Sequence, residues 1–298
     1  MKLAAAGLIE ENLESITPET IAVAAEIGLS GLAWSTSGGV GSDPSRWTSL
    51  RSLTDSYRLS VCEIGVYDTD FVSGDHEVSV FWLERVEEAC EAARALGDVE
   101  SPTVVVGCGS HNPAGSWLWD GRNFLAHSRE RLTACLAEAG RIAESRDVIV
   151  ALEGHVNTTA CTPATAVEIV REAGSAALRV HLDPVNWITL EACRDTTRFL
   201  EEMFDVVGDL AGSCHAKDVA VDNRLITHMD EVPPGNGVLD YSTYMRLANP
   251  LDQWMVVEAT PLEDLSRATA HLNATLNGTV TGADLDAPTP PPASGKHF

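Results

Sequence analysis

Long apolar runs are absent from this sequence. No stretch approaches the roughly 18 consecutive apolar residues that a membrane-spanning helix needs. The N-terminal segment, MKLAAAGLIEENLES, contains only a short apolar run and reaches its third acidic residue at Glu14. It lacks the longer apolar segment of a secretory signal peptide, so we expect a cytoplasmic protein that does not bind membranes.

Positive charge is scarce, and lysine is scarcer still. The 298 residues carry a formal net charge of −24, whereas proteins that bind a phosphate backbone present a basic surface to it. We therefore expect no nucleic-acid partner and no attraction to anionic membrane surfaces. Only three lysines occur, and Lys217 is the one that lies away from the chain ends.

Paired cysteines are also missing. The seven cysteines are scattered singly, without a CxxC pair. Their odd number suits a reducing compartment better than a disulfide framework. We interpret each cysteine as a small buried residue.

The sequence does contain a regular alternation of short apolar runs and longer segments of helical period. Eight candidate strands cover residues 3–7, 31–35, 60–67, 103–109, 148–154, 178–184, 210–218 and 254–260. Helical patterns fill the gaps between them. Two of these, residues 17–28 and 162–174, begin with a Thr-Pro pair and end at glycine, which is typical of helix boundaries. The weakest predicted helix covers residues 44–58.

Eight strands, each followed by a helix, predict an α/β fold, the (β/α)8 or TIM barrel, as a single domain over residues 1–280. The almost continuously apolar strands fit a parallel sheet that is buried on both faces. A doubly wound open sheet is the alternative, but no glycine-rich phosphate turn follows the first strand. Residues 281–298 are rich in proline and small polar residues, so we expect a flexible, disordered tail or an arm laid on a neighbour.

Polar residues stand where the predicted strands end. Catalytic groups of such barrels lie at the C-terminal ends of the strands. Four potential metal ligands occupy the ends of the last four predicted strands, namely Glu153, Asp183, His215 and Glu258. Burying three unpaired carboxylates together would be prohibitively costly, and one divalent cation would remove that cost. The donor set favours Mn²⁺, with Mg²⁺, Co²⁺ or Zn²⁺ as alternatives. Taken singly, each residue has a structural alternative: a glutamate at a strand end as a helix cap or surface group, and His215 as a core histidine.

Five motifs resemble those of the sugar phosphate isomerase/epimerase superfamily, the xylose isomerase-like barrels: ALEGH, HLDPVNW, CHAKD, PPGNGVLDY and VVEAT. The resemblance covers about residues 1–276 and is specific from residue 148 onward. It implies that a metal is held by Glu153, Asp183, His215 and Glu258. It also implies that Glu153 and Glu258 move the substrate proton, as catalytic residues.

Two positions depart from the family pattern or add to it. Epimerases of the family usually carry His three residues after the ligand Asp, where this chain has Asn186. Asn can hydrogen-bond a hydroxyl or carbonyl but cannot donate a cationic proton, which counts against epimerisation itself. Lys217 follows His215 by two residues, so strand alternation places both side chains on one face. Lys217 is therefore either paired with Asp218 or another acid, or a catalytic group that binds an oxyanion or protonates a leaving group.

Further residues are candidates for substrate binding, namely Asn186, His155, Trp34, Arg224 and His111. Arg224 could clamp a carboxylate or phosphate, or be a solvated loop charge. Trp34 could stack on a sugar or pack in the core, and the two histidines could contact substrate or only hold turns. The PPGNG segment nearby is interpreted as a turn at the substrate entrance.

These expectations define a leading function and its rivals. The leading hypothesis is a divalent-metal-dependent isomerase or epimerase that removes a proton beside the carbonyl of a keto sugar or related polyol, forming an enediolate. The alternative at the same site is a lyase or dehydratase, including one that cleaves an oxidised glycoside. DNA repair of the endonuclease IV type and a non-catalytic subunit are less expected. The substrate is predicted to be a small sugar, and dimers are usual among proteins that resemble this one.

Overall fold

The computed structural model describes residues 1–9, 17–36, 44–97, 102–222, 224–251 and 253–278. Within these ranges, none of the helices is both long enough and apolar enough to cross a membrane. The predicted tail over residues 281–298 lies outside the described residues.

The described residues contain ten strands: β1 (Lys2–Ile9), β2 (Gly31–Ser35), β3 (Ser60–Val66), β4 (Thr103–Val106), β5 (Val150–Leu152), β6 (Leu178–Leu182), β7 (Ala211–Ala216), β8 (Asp218–Asp222), β9 (His228–Val232) and β10 (Trp254–Val257). All except β8 and β9 run parallel in one closed barrel, in the order β1, β10, β7, β6, β5, β4, β3, β2. The predicted (β/α)8 barrel is confirmed.

The same part of the chain contains nine α-helices: α1 (Pro18–Glu26), α2 (Pro44–Ser56), α3 (His76–Leu96), α4 (Ala126–Arg146), α5 (Pro163–Ala173), α6 (Pro184–Trp187), α7 (Thr196–Val207), α8 (Tyr241–Ala248) and α9 (Leu262–Leu276). Thr17 and Thr162 each accept a hydrogen bond from a backbone amide in the first turn of the following helix. Gly174 ends α5 with a left-handed φ of 75°, which glycine adopts without strain. The weakest predicted helix exists as α2.

A hairpin follows β7 at the C-terminal edge of the barrel. β8 and β9 pair antiparallel, from Asp218 opposite Val232 to Asp222 opposite His228. The predicted strand over residues 210–218 is therefore too long. The sequence does not predict β9 because most of its residues are exposed and several are charged, so it lacks the apolar pattern of a strand.

Strand alternation directs the site residues into the barrel. His215 pairs in register with Val256, so the two side chains share a face of the sheet. Val256 belongs to a small apolar cluster that is separate from the main core packed against the helices. The side chain of His215 therefore points into the barrel and toward its C-terminal mouth.

Candidate metal and active site

Four predicted ligands meet at the mouth of the barrel. Glu153, Asp183 and Glu258 each follow a strand directly, and His215 is the penultimate residue of β7. One ligand atom from each of the four lies within 4.8 Å of the others. Their side chains are buried except that of Glu258, which is 24% exposed. The barrel topology thus brings together residues that are up to 105 positions apart in sequence.

The Nδ1 atom of His215 is central to this group. It lies 3.1 Å from Glu258 Oε2, and 3.8 Å from both Glu153 Oε1 and Asp183 Oδ2. With these separations, the four donor atoms surround a space of the size that a divalent cation occupies. Nitrogen and carboxylate oxygen are donors that Mn²⁺, Mg²⁺, Co²⁺ and Zn²⁺ accept.

The hydrogen bonding of these atoms also fits a cation. Among the described residues, Asp183 Oδ2, Glu258 Oε2 and His215 Nδ1 are buried atoms without a hydrogen-bond partner. The negative charges of Asp183 and Glu258 are balanced in part by the Lys217 ammonium, at 3.0 and 3.1 Å, although no hydrogen bond forms. A cation bound between them would satisfy all three atoms together.

Asp183 shows how the local sequence builds the site. Its Oδ1 accepts hydrogen bonds from the amides of Val185 and Asn186 and so caps the short helix α6, which starts with Pro184. Its Oδ2 is left to face His215 and the mouth. The Asp-Pro pair at the end of a buried strand therefore serves as a helix cap and as a potential ligand at once.

Lys217 lies beside the four predicted ligands. Its Nζ is 3.0 Å from Asp183 Oδ2, 3.1 Å from Glu258 Oε2 and 3.2 Å from Glu231 Oε1 of β9. Its side chain is only 7% exposed. Lys217 therefore pairs with acids of the site, and not with Asp218, whose carboxylate accepts hydrogen bonds from the amide of Val219 in β8 and from three amides of the loop after β9.

The buried charges shift the pKa values of the two glutamates of the site in opposite directions. Burial raises the pKa of Glu153 to about 8. Burial opposes ionisation of Glu258 as well, but the positive charges of His215 and Lys217 outweigh it and hold the pKa of Glu258 below its ordinary value. At neutral pH the carboxyl of Glu153 therefore holds its proton more firmly than that of Glu258, which stays ionised.

Asn186 is placed against Glu153. Its Nδ2 donates a hydrogen bond of 2.7 Å to Glu153 Oε1. His155 is partly buried nearby, with its ring edge-on to Trp117 at 6.2 Å between centroids. Burial and the charge of Lys217 lower the pKa of His155 to about 4, so this ring is neutral at physiological pH.

Three predicted substrate-binding residues make contacts that do not involve the four predicted ligands. Trp34 is fully buried in the main apolar core. His111 shares a hydrogen bond of 2.8 Å with the hydroxyl of Ser128 on α4. Arg224 is exposed near the hairpin tip and pairs with Asp222. These contacts support the structural alternative for each residue, and their binding roles stay predictions.

Two buried residues near the site were not among the predicted site residues. Glu63 of β3 is 1% exposed and lies 2.8 Å from His215 Nε2. His181 of β6 packs edge-on against His215, with 4.0 Å between ring centroids. A charged residue inside the apolar run SVCEIGV was the signal available in the sequence for Glu63.

Comparison with known proteins gives a family match. The sequence model of the xylose isomerase-like TIM barrel family matches residues 21–275. Among curated protein sequences, none matches the chain.

Several solved structures are similar in fold. A xylose isomerase-like TIM barrel protein from Mycobacterium smegmatis, in complex with magnesium, is 18% identical, with a TM-score of 0.73 over 94% of this chain and 98% of that one. D-Psicose 3-epimerase from Clostridium cellulolyticum H10, with D-tagatose, is 14% identical, with a TM-score of 0.66 over 94% and 98%. The probable 3-DHS dehydratase AsbF from Bacillus anthracis is 16% identical, with a TM-score of 0.68 over 93% and 99%. At these identities the likeness shows a shared fold.

Proposed function

The chain belongs to the xylose isomerase-like TIM barrel family, and from that membership and the geometry of its mouth we propose that it is a divalent-metal-dependent isomerase or epimerase. Its substrate would be a keto sugar or related polyol, and its reaction the removal and return of a proton beside the carbonyl. The observation that carries the proposal is the convergence of ligand atoms from Glu153, Asp183, His215 and Glu258 within 4.8 Å of one another.

The cation would be held by Glu153, Asp183, His215 and Glu258, whose ligand atoms lie within 4.8 Å of one another. When bound, it would polarise a carbonyl and its neighbouring hydroxyl and so acidify the hydrogen between them. We propose Mn²⁺ first, with Mg²⁺, Co²⁺ and Zn²⁺ as alternatives, because the donors are mainly carboxylate oxygens with one imidazole.

Glu153 and Glu258 are proposed to move the proton. General acid–base catalysis needs a carboxylate positioned beside the reacting hydrogen, and both glutamates lie at the mouth among the proposed ligands. The hydrogen bond from Asn186 holds the Glu153 carboxyl in one orientation. Glu258 stays ionised beside Lys217 and can accept a proton from the opposite side of the substrate.

A lyase or dehydratase is the second candidate, and Lys217 favours it. Its ammonium group lies among the carboxylates at the mouth, 3.1 Å from Glu258 Oε2. An ammonium there could protonate a leaving hydroxyl or glycosidic oxygen after the proton beside the carbonyl is removed. Asn186, which cannot act as a cationic acid, stands where epimerases of the family usually carry His. One fold neighbour is named as a probable dehydratase and another as an epimerase.

The remaining expectations form part of the same proposal. We propose a small sugar as the binding partner, no nucleic-acid partner, a homodimeric assembly and a cytoplasmic location. The net charge of −24 supports the absence of a nucleic-acid partner, because a phosphate backbone would be repelled. DNA repair of the endonuclease IV type and a purely non-catalytic role remain the less favoured alternatives.

Deuterium exchange tests the reaction. Protein loaded with Mn²⁺ or Mg²⁺ is incubated in heavy water with a panel of keto sugars, 3-keto glycosides and related polyols, and the products are analysed by mass spectrometry. We expect deuterium beside the carbonyl, with a reduction of at least about 100-fold for Glu153→Gln and Glu258→Gln. Glu172→Gln, a change in an exposed ion pair on α5, serves as the control.

The products separate the two candidates. Recovery of the sugar or its isomer with deuterium supports an isomerase or epimerase. Loss of water or of an aglycone, abolished by Lys217→Met, supports a lyase. Exchange that is equally fast in wild type and in Glu153→Gln would contradict both.

A further inference from the structure

A carboxylate lies inside the barrel beside the metal site, and the reaction proposed above makes no use of it. Glu63 projects from β3 and is 1% exposed. Taking a carboxylate out of water is costly unless other groups hydrogen-bond to it or balance its charge. Its neighbours therefore indicate why it is there.

The contacts of Glu63 reach across the barrel. Its Oε1 accepts a hydrogen bond of 2.6 Å from the hydroxyl of Tyr67 and lies 2.8 Å from Nε2 of His215. β3 and β7 are four strands apart in the ring of eight, so they face each other across the interior. The hydrogen bond therefore fixes the His215 ring from the side opposite to its own strand.

Irregular strand pairing helps to aim these side chains. Along β2 and β3 the register moves from Leu32 opposite Val61 to Ala33 opposite Glu63, so Cys62 is an extra residue. Bulges of this kind turn a side chain toward a new direction and are frequent beside active sites. The insertion of Cys62 gives Glu63 the inward position that its contact with His215 requires.

We propose that Glu63 is a positioning residue for the metal site: it accepts the Nε2–H of His215, and this leaves the Nδ1 lone pair of His215 directed at the cation. The partner of one ring nitrogen determines which nitrogen carries the proton, and carboxylates commonly hold metal-ligating histidines in this way. Tyr67 holds Glu63 in turn. The inference rests on the proposed metal site and assigns to Glu63 a role in building it.

His181 supports the same arrangement. Its Nδ1 lies 2.6 Å from the hydroxyl of Ser213, and its ring packs edge-on against that of His215. Packing against His181 therefore restricts the orientation of the His215 ring plane, and the hydrogen bond to Glu63 holds the Nε2 edge of the ring in place. Little rotation is left, so Nδ1 stays aimed at Asp183 and Glu258.

A competing interpretation is that Glu63, His181 and His215 themselves hold a second cation. The three lie close enough to share one, and in the described part of the chain Glu63 Oε2 and His181 Nε2 have no hydrogen-bond partner. His215 Nε2 cannot donate a hydrogen to Glu63 and bind a cation at the same time. Metal stoichiometry therefore separates the two interpretations.

The experiment combines metal binding with the tautomer of His215. Co²⁺ affinity and stoichiometry are measured for wild type, Glu63→Gln, Glu63→Leu and Tyr67→Phe, and ¹⁵N NMR of the Zn²⁺-loaded proteins reports which nitrogen of His215 is protonated. We expect one ion per wild-type chain, with Nε2 protonated. Glu63→Leu should weaken Co²⁺ binding about 10- to 100-fold, with a smaller loss for the nearly isosteric Glu63→Gln. Circular dichroism identifies any variant that does not fold, in which case Glu63→Gln carries the test.

The outcomes also separate this inference from the proposed function. Undiminished Co²⁺ affinity with an unchanged His215 tautomer in the Glu63 variants would overturn the positioning role, while the metal site itself would stand. Two ions per chain, one of them lost in both Glu63→Gln and His181→Phe, would make Glu63 a ligand instead. If folded wild type binds no divalent ion, the proposed function fails first, and the role of Glu63 fails with it.

Discussion

At the scale of single residues, the site depends on a balance between buried carboxylates and the cations beside them. Glu153, Asp183 and Glu258 share one small space, and His215 and Lys217 are the positive groups that face them. When no metal is bound, the Lys217 ammonium balances the negative charge of these carboxylates. A metal bound at the proposed site would therefore compete with Lys217 for the same carboxylate oxygens.

Lys217→Met tests this balance. In the presence of a chelator, the variant should lose about 3 kcal/mol of unfolding free energy, because removal of the ammonium group leaves the buried carboxylates without a compensating positive charge. Divalent binding should tighten at least about tenfold, because a repelling positive charge has left. Urea unfolding and Co²⁺ titration measure the two effects. Lys217→Arg should retain most of the stability, and the exposed control Arg198→Met should change it by less than about 0.5 kcal/mol. Unchanged stability and affinity in Lys217→Met would show that the ammonium is not part of the site.

At the scale of elements, a single carboxylate holds the loop between β9 and α8. Asp218 accepts hydrogen bonds from the backbone amides of Val219, Gly235, Gly237 and Leu239. This network ties the PPGNG turn to the residue next to Lys217. The pairing of Glu231 with Lys217 adds a second link between the hairpin and the mouth.

Gly237→Ala tests the loop. A Cβ at Gly237 would lie 2.3 Å from both Asp218 Oδ1 and the carbonyl oxygen of Val219, so the loop would have to shift. We expect a loss of about 1–3 kcal/mol in unfolding free energy and a raised KM for the substrate. Gly115→Ala is the matched control, because its Cβ would meet its nearest neighbour at an ordinary 3.5 Å. Equal stability of the two variants in urea unfolding would contradict the packing that we describe.

The sequence predicts the barrel elements well because each depends on local pattern. Apolar strands that alternate with capped helices are visible in the sequence, and a closed barrel brings successive strand ends together. The convergence of Glu153, Asp183, His215 and Glu258 follows from that topology. Their role as ligands stays a prediction, although the structure brings them together.

The parts that were not predicted depend on tertiary structure. Glu63 lies in a nearly continuous apolar run, and its inward direction comes from a register shift that no local pattern shows. β9 contains exposed and charged residues, so its own sequence does not identify it as a strand. Its pairing with β8 and the contact of Glu231 with Lys217 are what identify it. Trp34 shows the converse, because an aromatic residue at a strand end can be core packing.

At the scale of the whole molecule, the described barrel is complete by the end of α9. α9 buries Leu265, Ala268 and Leu272 against the rest of the chain, and the family match ends at residue 275. The single domain over residues 1–280 and the flexible tail over 281–298 stay predictions from sequence. Removing that tail tests both.

A chain that ends at residue 280 should keep the fold and the metal site. Its thermal midpoint should lie within about 3 °C of wild type, because less than about 1 kcal/mol would be lost. Its divalent content should be unchanged. A chain that ends at residue 261, before α9, is the control and should not fold, because that helix covers part of the core. A markedly lower midpoint for the first truncation would make the tail part of the folded domain.

Elemental analysis of the bound metal tests whether Glu153, Asp183, His215 and Glu258 hold a divalent cation. Wild type, Glu153→Gln, Asp183→Asn and the surface control Glu172→Gln are each offered Mn²⁺, Mg²⁺, Co²⁺ and Zn²⁺ and then freed of unbound ions. We predict about one divalent ion per chain in wild type and control, and loss of that ion in both site variants, because each removes a charged ligand. Folded wild-type protein that retains none of the four metals, or site variants that retain as much as wild type, would show that these residues do not hold a cation.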